Sequence, residues 1–158
     1  MANTSDEAAA LFFGLTAGYL TAEDVVGWAD QIILSSRVVP DEVTKISLSG
    51  GRAFEMEAAL RALAGSFRPK PQVAHVLCSM KEILAVRPER AQRIASGLVH
   101  LFAGEKELPQ QLVAEALHID YSFELAEDGI QGTIETARAE LAEYLRHWSA
   151  ILTNAASS

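Results

Sequence analysis

Cysteine is nearly absent from this 158-residue chain, whose single thiol is Cys78. A lone cysteine excludes an intramolecular disulfide and a zinc site built from several thiolates. A chain of this length buries about 70% of the surface that it exposes when unfolded, so it folds without a metal or a covalent cross-link. We therefore expect no structural metal, and no motif predicts a cofactor.

Long apolar runs are also missing. The longest ones, such as residues 8–14, are far shorter than the ~20 residues that span a bilayer. No basic segment precedes the first apolar run, as a secretory signal requires. These two absences predict a protein that has no membrane partner and resides in the cytoplasm.

Basic residues are outnumbered, since 13 Lys and Arg stand against 21 Asp and Glu and give a net charge of -8 at pH 7. Nucleic-acid-binding proteins normally carry a basic surface, so we expect no nucleic-acid partner. The charge is unevenly spread: residues 61–93 hold seven bases and two acids, whereas residues 94–158 hold ten acids and three bases. From Glu107 to Glu135, seven acids occur with no Lys or Arg between them.

This acidic stretch has two interpretations. It forms ordinary solvated surface, as most charged residues do, or it forms a negative surface that steers a basic protein partner. A third interpretation, in which residues 61–93 form a nucleic-acid face, conflicts with the negative charge of the rest of the chain.

Helical spacing of apolar residues and the pattern of caps predict an all-α protein. A capping box at Thr4–Glu7 opens the first helix, and a Thr21 cap followed by an acidic first turn opens the second. Other helices begin at Pro40, Pro71, Pro88 and Pro109, each placed in a first turn, and end at Gly50, Gly65 and Gly104. The best-defined helix is the last one, whose apolar stripe comprises Ala137, Leu141, Tyr144, Leu145, Trp148 and Leu152.

We predict a compact irregular bundle of about seven helices, with helical-hairpin repeats as the alternative. The helices form a single domain over residues 1–158, or one that is subdivided near residues 68–71, where Pro69 and Pro71 exclude a helix interior. Residues 121–125 alternate as a strand does, but no second strand is predicted to pair with them, so they are helical or irregular.

Catalytic and metal motifs are incomplete. Glu115 and His118 form half of a di-iron motif, and the second half is missing. His75 and Cys78 share a helical face but lack a third, orienting group. An enzyme is therefore only the third hypothesis, and it requires a deep polar pocket that contains at least two of His75, His100, His118 and Glu115.

The leading hypothesis is a non-enzymatic acidic protein-binding module. Its most concrete form is an immunity or antitoxin-type protein that masks a basic partner. The residues predicted to bind that partner are Glu115, Asp120, Glu124, Glu127 and Asp128. The alternative is a structural or scaffold protein that forms a homodimer through the Trp148 stripe or through the face of Gly14 and Gly18.

Overall fold

The structure, a computed structural model, describes residues 3–103 and 105–157. Within these residues it contains eight α-helices, one short 3-10 helix and no strand, which confirms the predicted all-α class. The helices are α1 (Thr4–Ala17), α2 (Ala22–Ser35), α3 (Asp41–Leu48), α4 (Ala53–Ala64), α5 (Val73–Val86), α6 (Ala91–Phe102), α7 (Gln110–Glu127) and α8 (Ile134–Ser157), with the 3-10 helix (Pro88–Arg90) directly before α6. Each helix in the described ranges is too short or too polar to cross a lipid bilayer.

The chain divides into two compact units, Met1–Gln72 and Val73–Ser158. The first unit holds α1 to α4, and the second holds α5 to α8. The segment between α4 and α5 contains Pro69 and Pro71, and neither proline fits a helix interior because its ring clashes with the preceding turn.

In the first unit, α4 packs against α1 and α3, and α3 also packs against α2. Eight buried apolar residues form the core: Ala8, Val25, Ala29, Val43, Ile46, Met56, Ala59 and Leu60. Trp28 on α2 packs against this core and donates its indole N–H to Oε2 of Glu7 on α1 at 3.0 Å. This bond fixes the position of α2 along α1.

In the second unit, the long helix α8 packs against α5, α6 and α7. The apolar stripe predicted for this helix is confirmed from Ala137 to Trp148, because Ala137, Leu141, Tyr144, Leu145 and Trp148 are all buried, whereas its last member, Leu152, is half-buried. The hydroxyl of Tyr144 donates to the backbone oxygen of Leu112 on α7 at 2.8 Å. A buried hydroxyl needs such a partner, so this bond selects how α7 and α8 meet.

The caps of the first two helices differ in how well they were predicted. The predicted Thr21 cap is confirmed, and the structure shows in addition that Asp24 completes a capping box, with both reciprocal bonds present. The prediction for α1 is wrong by one residue, since Asn3 caps it by accepting from the Asp6 N–H at 2.8 Å. Thr4 already belongs to the helix, and an asparagine is as good a cap as a threonine.

The prolines predicted to lie in the first turns of α-helices lie instead before those helices. Pro40 and Pro109 are the residues just before α3 and α7, and α5 begins two residues beyond Pro71. Pro88 opens the 3-10 helix instead of α6. The fixed φ of proline suits both positions, so the residue type alone does not distinguish them.

Residues 121–125 continue α7 without interruption, which confirms the helical interpretation of this segment. Phe123 in their middle is buried, so packing rather than local alternation determines their conformation. Leu48, at the end of α3, is 75% exposed although it is a large apolar residue. Gly104, predicted to end the helix that begins at Pro88, lies outside the described residues.

Gly14 permits a close contact within the first unit, although not the helix contact that its spacing from Gly18 predicts. A Cβ atom at Gly14 would lie 2.7 Å from Cγ of Leu20, closer still to its Cδ1, and 3.2 Å from the ring of Tyr19. Gly18, at φ +87°, ends α1 and turns the chain so that these two side chains fold back over Gly14. Gly14 is thus covered by Tyr19 and Leu20, which follow it in the chain.

Substitution of Gly14 by alanine is therefore expected to lower the free energy of unfolding by ~1–3 kcal/mol, because Leu20 must move out of its buried site. The control is Gly27→Ala in α2, where a Cβ meets nothing within 4 Å and the higher helix propensity of alanine adds up to about 1 kcal/mol. Urea unfolding followed by circular dichroism measures both. Shifts of the same sign in the two variants would show that Leu20 does not constrain Gly14.

Candidate functional site

Helix α7 brings together the five acids predicted to bind a partner: Glu115, Asp120, Glu124, Glu127 and Asp128. Its inner face is buried and consists of Leu112, Ala116, Ile119 and Phe123. Because the helix repeats every 3.6 residues, the acids divide among its remaining faces. Two of them point outward, two lie toward α6 and one lies toward α8.

The outward direction carries a row of four exposed side chains, which we call the α7 outer stripe: Leu117, Tyr121, Glu124 and Asp128. They follow one another at i, i+4, i+7 and i+11, so they lie on one line along the helix surface. Leu117 is 51% exposed and Tyr121 is 57% exposed. The stripe therefore combines apolar surface at one end with carboxylates at the other.

The carboxyl-terminal turn of α7 concentrates negative charge. Glu124 and Glu127 lie in this turn, Asp128 is the residue after the helix, and the last turn has no basic residue. The end of a helix that presents free carbonyl groups already carries about half a negative charge, so acids there are unfavourable and cations favourable. These acids therefore do not stabilise α7. A cation from outside the unit would offset their unfavourable interaction with the helix dipole.

The two acids toward α6 are partly engaged by it. Gln92 donates from Nε2 to Oε2 of Glu127 at 2.7 Å. Asp120 is half-buried, and burial raises the pKa of its carboxyl, while the charge of His100 on α6 acts in the opposite direction. These residues are less available to a partner than Glu124 and Asp128.

Glu115 faces α8 and is held in place by two donors. The indole N–H of Trp148 and the amide Nε2 of Gln111 each lie 2.8 Å from its carboxylate oxygens. The bond from Trp148 lowers the pKa of Glu115 more than its partial desolvation raises it, and Gln111 and His147 lower it further. Glu115 is thus an ionised structural partner of the buried Trp148.

Beside this bond, α7 and α8 form an open groove of about 580 Å³. Its polar lining comprises Glu115, His118, Glu140, Glu143 and His147. The enzyme hypothesis requires a deep polar pocket with at least two of four named side chains, and two of them, Glu115 and His118, share this groove, which is open rather than deep. No three His, Cys, Asp or Glu side chains in residues 3–103 and 105–157 lie close enough together to hold a metal ion.

The ionisation of the two carboxylates Glu115 and Glu143 favours attraction of cations over general-acid catalysis by either of them. Arg146 donates from Nε to Oε2 of Glu143 at 3.0 Å, and this bond lowers the pKa of Glu143. A carboxyl that acts as a general acid needs a pKa raised toward the working pH. Glu115 and Glu143 are both shifted the other way.

Sequence reasoning missed Leu117 and Tyr121 as candidate binding residues. Their signal was present, because a single helix over 110–127 places both in line with Glu124 and Asp128. The ambiguity at residues 121–125 hid it, since a strand or loop there breaks the spacing.

Comparisons with protein-family models, with curated protein sequences and with solved structures find no match for this chain.

The bond between Glu115 and Trp148 predicts a pH-dependent stability. The folded-state pKa of Glu115 lies below its ordinary value of 4.5, so its stabilisation is present above pH 4.5 and is lost as pH falls through the folded-state pKa. At pH 7, Glu115→Gln should cost about 1 kcal/mol, because a neutral acceptor replaces a charged one. Urea unfolding of wild type and variant at pH 7 and below pH 4.5 measures this.

The control for that experiment is Glu140→Gln, which removes a carboxylate from the same groove and leaves the Trp148 bond intact. We expect the stability of Glu115→Gln to converge on that of wild type at low pH, while Glu140→Gln tracks wild type throughout. A constant gap at every pH would contradict the role of the ionised carboxylate.

The raised pKa of Asp120 predicts the opposite effect of its charge on stability. Because burial raises its pKa above the ordinary 3.8, its charged form disfavours folding once the pH exceeds the folded-state value. Asp120→Asn should therefore raise the free energy of unfolding at pH 7, and this gain should vanish below pH 3.8. A loss of stability at pH 7 would mean that attraction to His100 outweighs burial.

Proposed function

We propose that this protein is a non-enzymatic binding module that docks a basic protein partner on the α7 outer stripe. The observation that carries the proposal is the placement of exposed Glu124 and Asp128 at the helix end that disfavours acids, in line with exposed Leu117 and Tyr121. Residues that destabilise their own helix, with no compensating contact inside the fold, are typical of functional surfaces.

The two halves of the stripe serve different steps of binding. Glu124 and Asp128, within a chain of net charge -8, attract a basic surface over a distance and raise the association rate. Leu117 and Tyr121 supply apolar contact once the surfaces meet, and tyrosine is among the residues enriched at the energetic centre of interfaces. Lys or Arg side chains of the partner then offset both the carboxylates and the helix dipole.

The most concrete form of this proposal is an immunity or antitoxin-type protein in the cytoplasm that masks a basic partner. A nuclease is one chemical class that fits, because its nucleic-acid-binding surface must be basic. An acidic helix that covers such a surface blocks it by competing with phosphate.

The faces considered for self-association support a second function less well. Trp148 is 6% exposed and hydrogen-bonded to Glu115, and Gly14 is buried beneath Leu20 and Tyr19. Trp148 and Gly14, the central residues of the two faces, are thus covered by side chains of their own unit. Neither residue offers a free surface to a second copy.

The test is a charge reversal, Glu124→Lys with Asp128→Lys, compared with a matched reversal elsewhere. The pair Glu82→Lys with Glu89→Lys changes two exposed acids of the same unit and alters the net charge equally. A basic protein is captured from source lysate at low salt, purified, and its Kd measured for each variant. We expect the stripe reversal to weaken binding at least ~10-fold and the matched reversal to leave it nearly unchanged.

A further variant, Tyr121→Ala, separates the two halves of the stripe. It should weaken binding without changing the salt dependence of Kd, whereas the stripe reversal should flatten that dependence. Equal affinities of the stripe reversal and the matched reversal would contradict the proposal, since net charge alone would then account for binding.

A further inference from the structure

A second groove in unit Val73–Ser158 lies between α5 and α8 and has the opposite electrostatic character. It measures about 480 Å³, within the range typical of small-molecule sites. Its floor is apolar, formed by Leu84 and Pro88 on one side and by alanines of α8 on the other. Three cations, Lys81, Arg138 and Arg146, line it.

Helical spacing explains why cations and apolar surface coincide here. Lys81 and Leu84 are three residues apart on α5, so they share a face. On α8, Arg138, Ala142 and Arg146 follow at i, i+4 and i+8, which places the two guanidinium groups two turns apart with a small residue between them. The alanine leaves room above the floor, and the arginines flank that room.

Arg138 is the distinctive member of this groove. Its Nε atom is buried and has no hydrogen-bond partner. A buried donor without an acceptor costs free energy, and most such groups in proteins are satisfied. The groove therefore contains a half-buried arginine whose Nε has no acceptor in the described part of the chain.

Comparison with Arg61 shows that this situation is not general to the chain. The Nε of Arg61 is also buried without a hydrogen bond, but its guanidinium lies over the rings of Phe12 and Phe67, 4.9 Å and 4.8 Å from their centroids. Cation–π contacts of this kind compensate a desolvated guanidinium. The described part of the chain provides no aromatic ring over Arg138.

The other two cations are more exposed. Lys81 is exposed at the rim of the groove. Arg146 is paired with Glu143, the acid whose negative charge would most directly repel an anion bound in the groove. The groove thus offers one guanidinium whose Nε has no acceptor, one guanidinium paired with a carboxylate, and one exposed ammonium. Together they outnumber the single acid in contact with them.

We propose that the α5–α8 groove binds a small amphipathic carboxylate, such as a medium-chain fatty acid. Its hydrocarbon body lies on Leu84, Pro88 and the alanines of α8, and its carboxylate accepts from the guanidinium of Arg138. Arginine suits this role because its planar fork matches the two oxygens of a carboxylate. The apolar floor requires a hydrocarbon body, and the local positive charge in a chain of net charge -8 requires an anionic head. This site is separate from the α7 outer stripe and does not depend on the proposed function.

The probe is octanoate, titrated into the full chain while the backbone amide resonances are followed by NMR. Octanol, octyltrimethylammonium and acetate are the matched probes, which lack the charge, reverse it or lack the hydrocarbon body. We expect octanoate to shift resonances of α5 and α8 around the groove, and the three matched probes to bind at least ~10-fold more weakly.

Variants then test the residues. Arg138→Met keeps most of the side-chain volume and removes the charge, so it should weaken octanoate binding about tenfold and leave octanol binding unchanged. Arg52→Met, which removes an exposed arginine of the other unit, is the control for net charge and should have no effect. Ala142→Glu, which places an acid between the two arginines, should abolish octanoate binding while the helical content by circular dichroism is retained.

Three outcomes would overturn the proposal. Equal affinity for octanol and octanoate would show an apolar groove without an anion site. Binding of an acidic peptide in the absence of octanoate binding would assign the groove to a protein partner. Resonance shifts that grow with protein concentration alone would assign it to a second copy of this chain.

Discussion

A tryptophan that packs into a helix interface must find an acceptor for its indole N–H, and both units of this protein meet that requirement with a glutamate from another helix. Trp28 donates to Glu7 in the first unit, and Trp148 donates to Glu115 in the second. Each bond joins an apolar contact to a directional one, so it fixes the rotation and the register of its helices together. The direction in which every other side chain of these helices points depends on that choice.

The consequence is clearest for α7. With Glu115 turned toward Trp148, the helical repeat places Tyr121, Glu124 and Asp128 on the opposite, exposed side. One acid of the predicted set thereby becomes a structural partner with a lowered pKa, while two others remain in solvent. Stability and the proposed binding are thus assigned to different residues of one helix. The exposed acids at its carboxyl end oppose the helix dipole, and an interaction with a basic partner would offset that cost.

The second unit also separates charges of opposite sign around α8. Glutamates and histidines line its groove with α7, whereas Lys81, Arg138 and Arg146 line its groove with α5. A helix can do this because residues four apart share a face and residues two apart do not. Both grooves exist within one unit of a chain whose net charge is strongly negative, so the positive groove is a local feature that overall composition conceals.

The sequence by itself determined the all-α class, the Thr21 cap and the buried stripe of α8, because caps and apolar periodicity act within one helix. It also located the acids on what proved to be α7. Only the tertiary structure decided that Glu115 bonds Trp148, that Leu48 is exposed, and that residues near 81–88 and 138–146 form one groove. Periodicity defines the faces of a helix, but which face is covered, and by what, depends on contacts between segments far apart in the chain, and no local pattern encodes them.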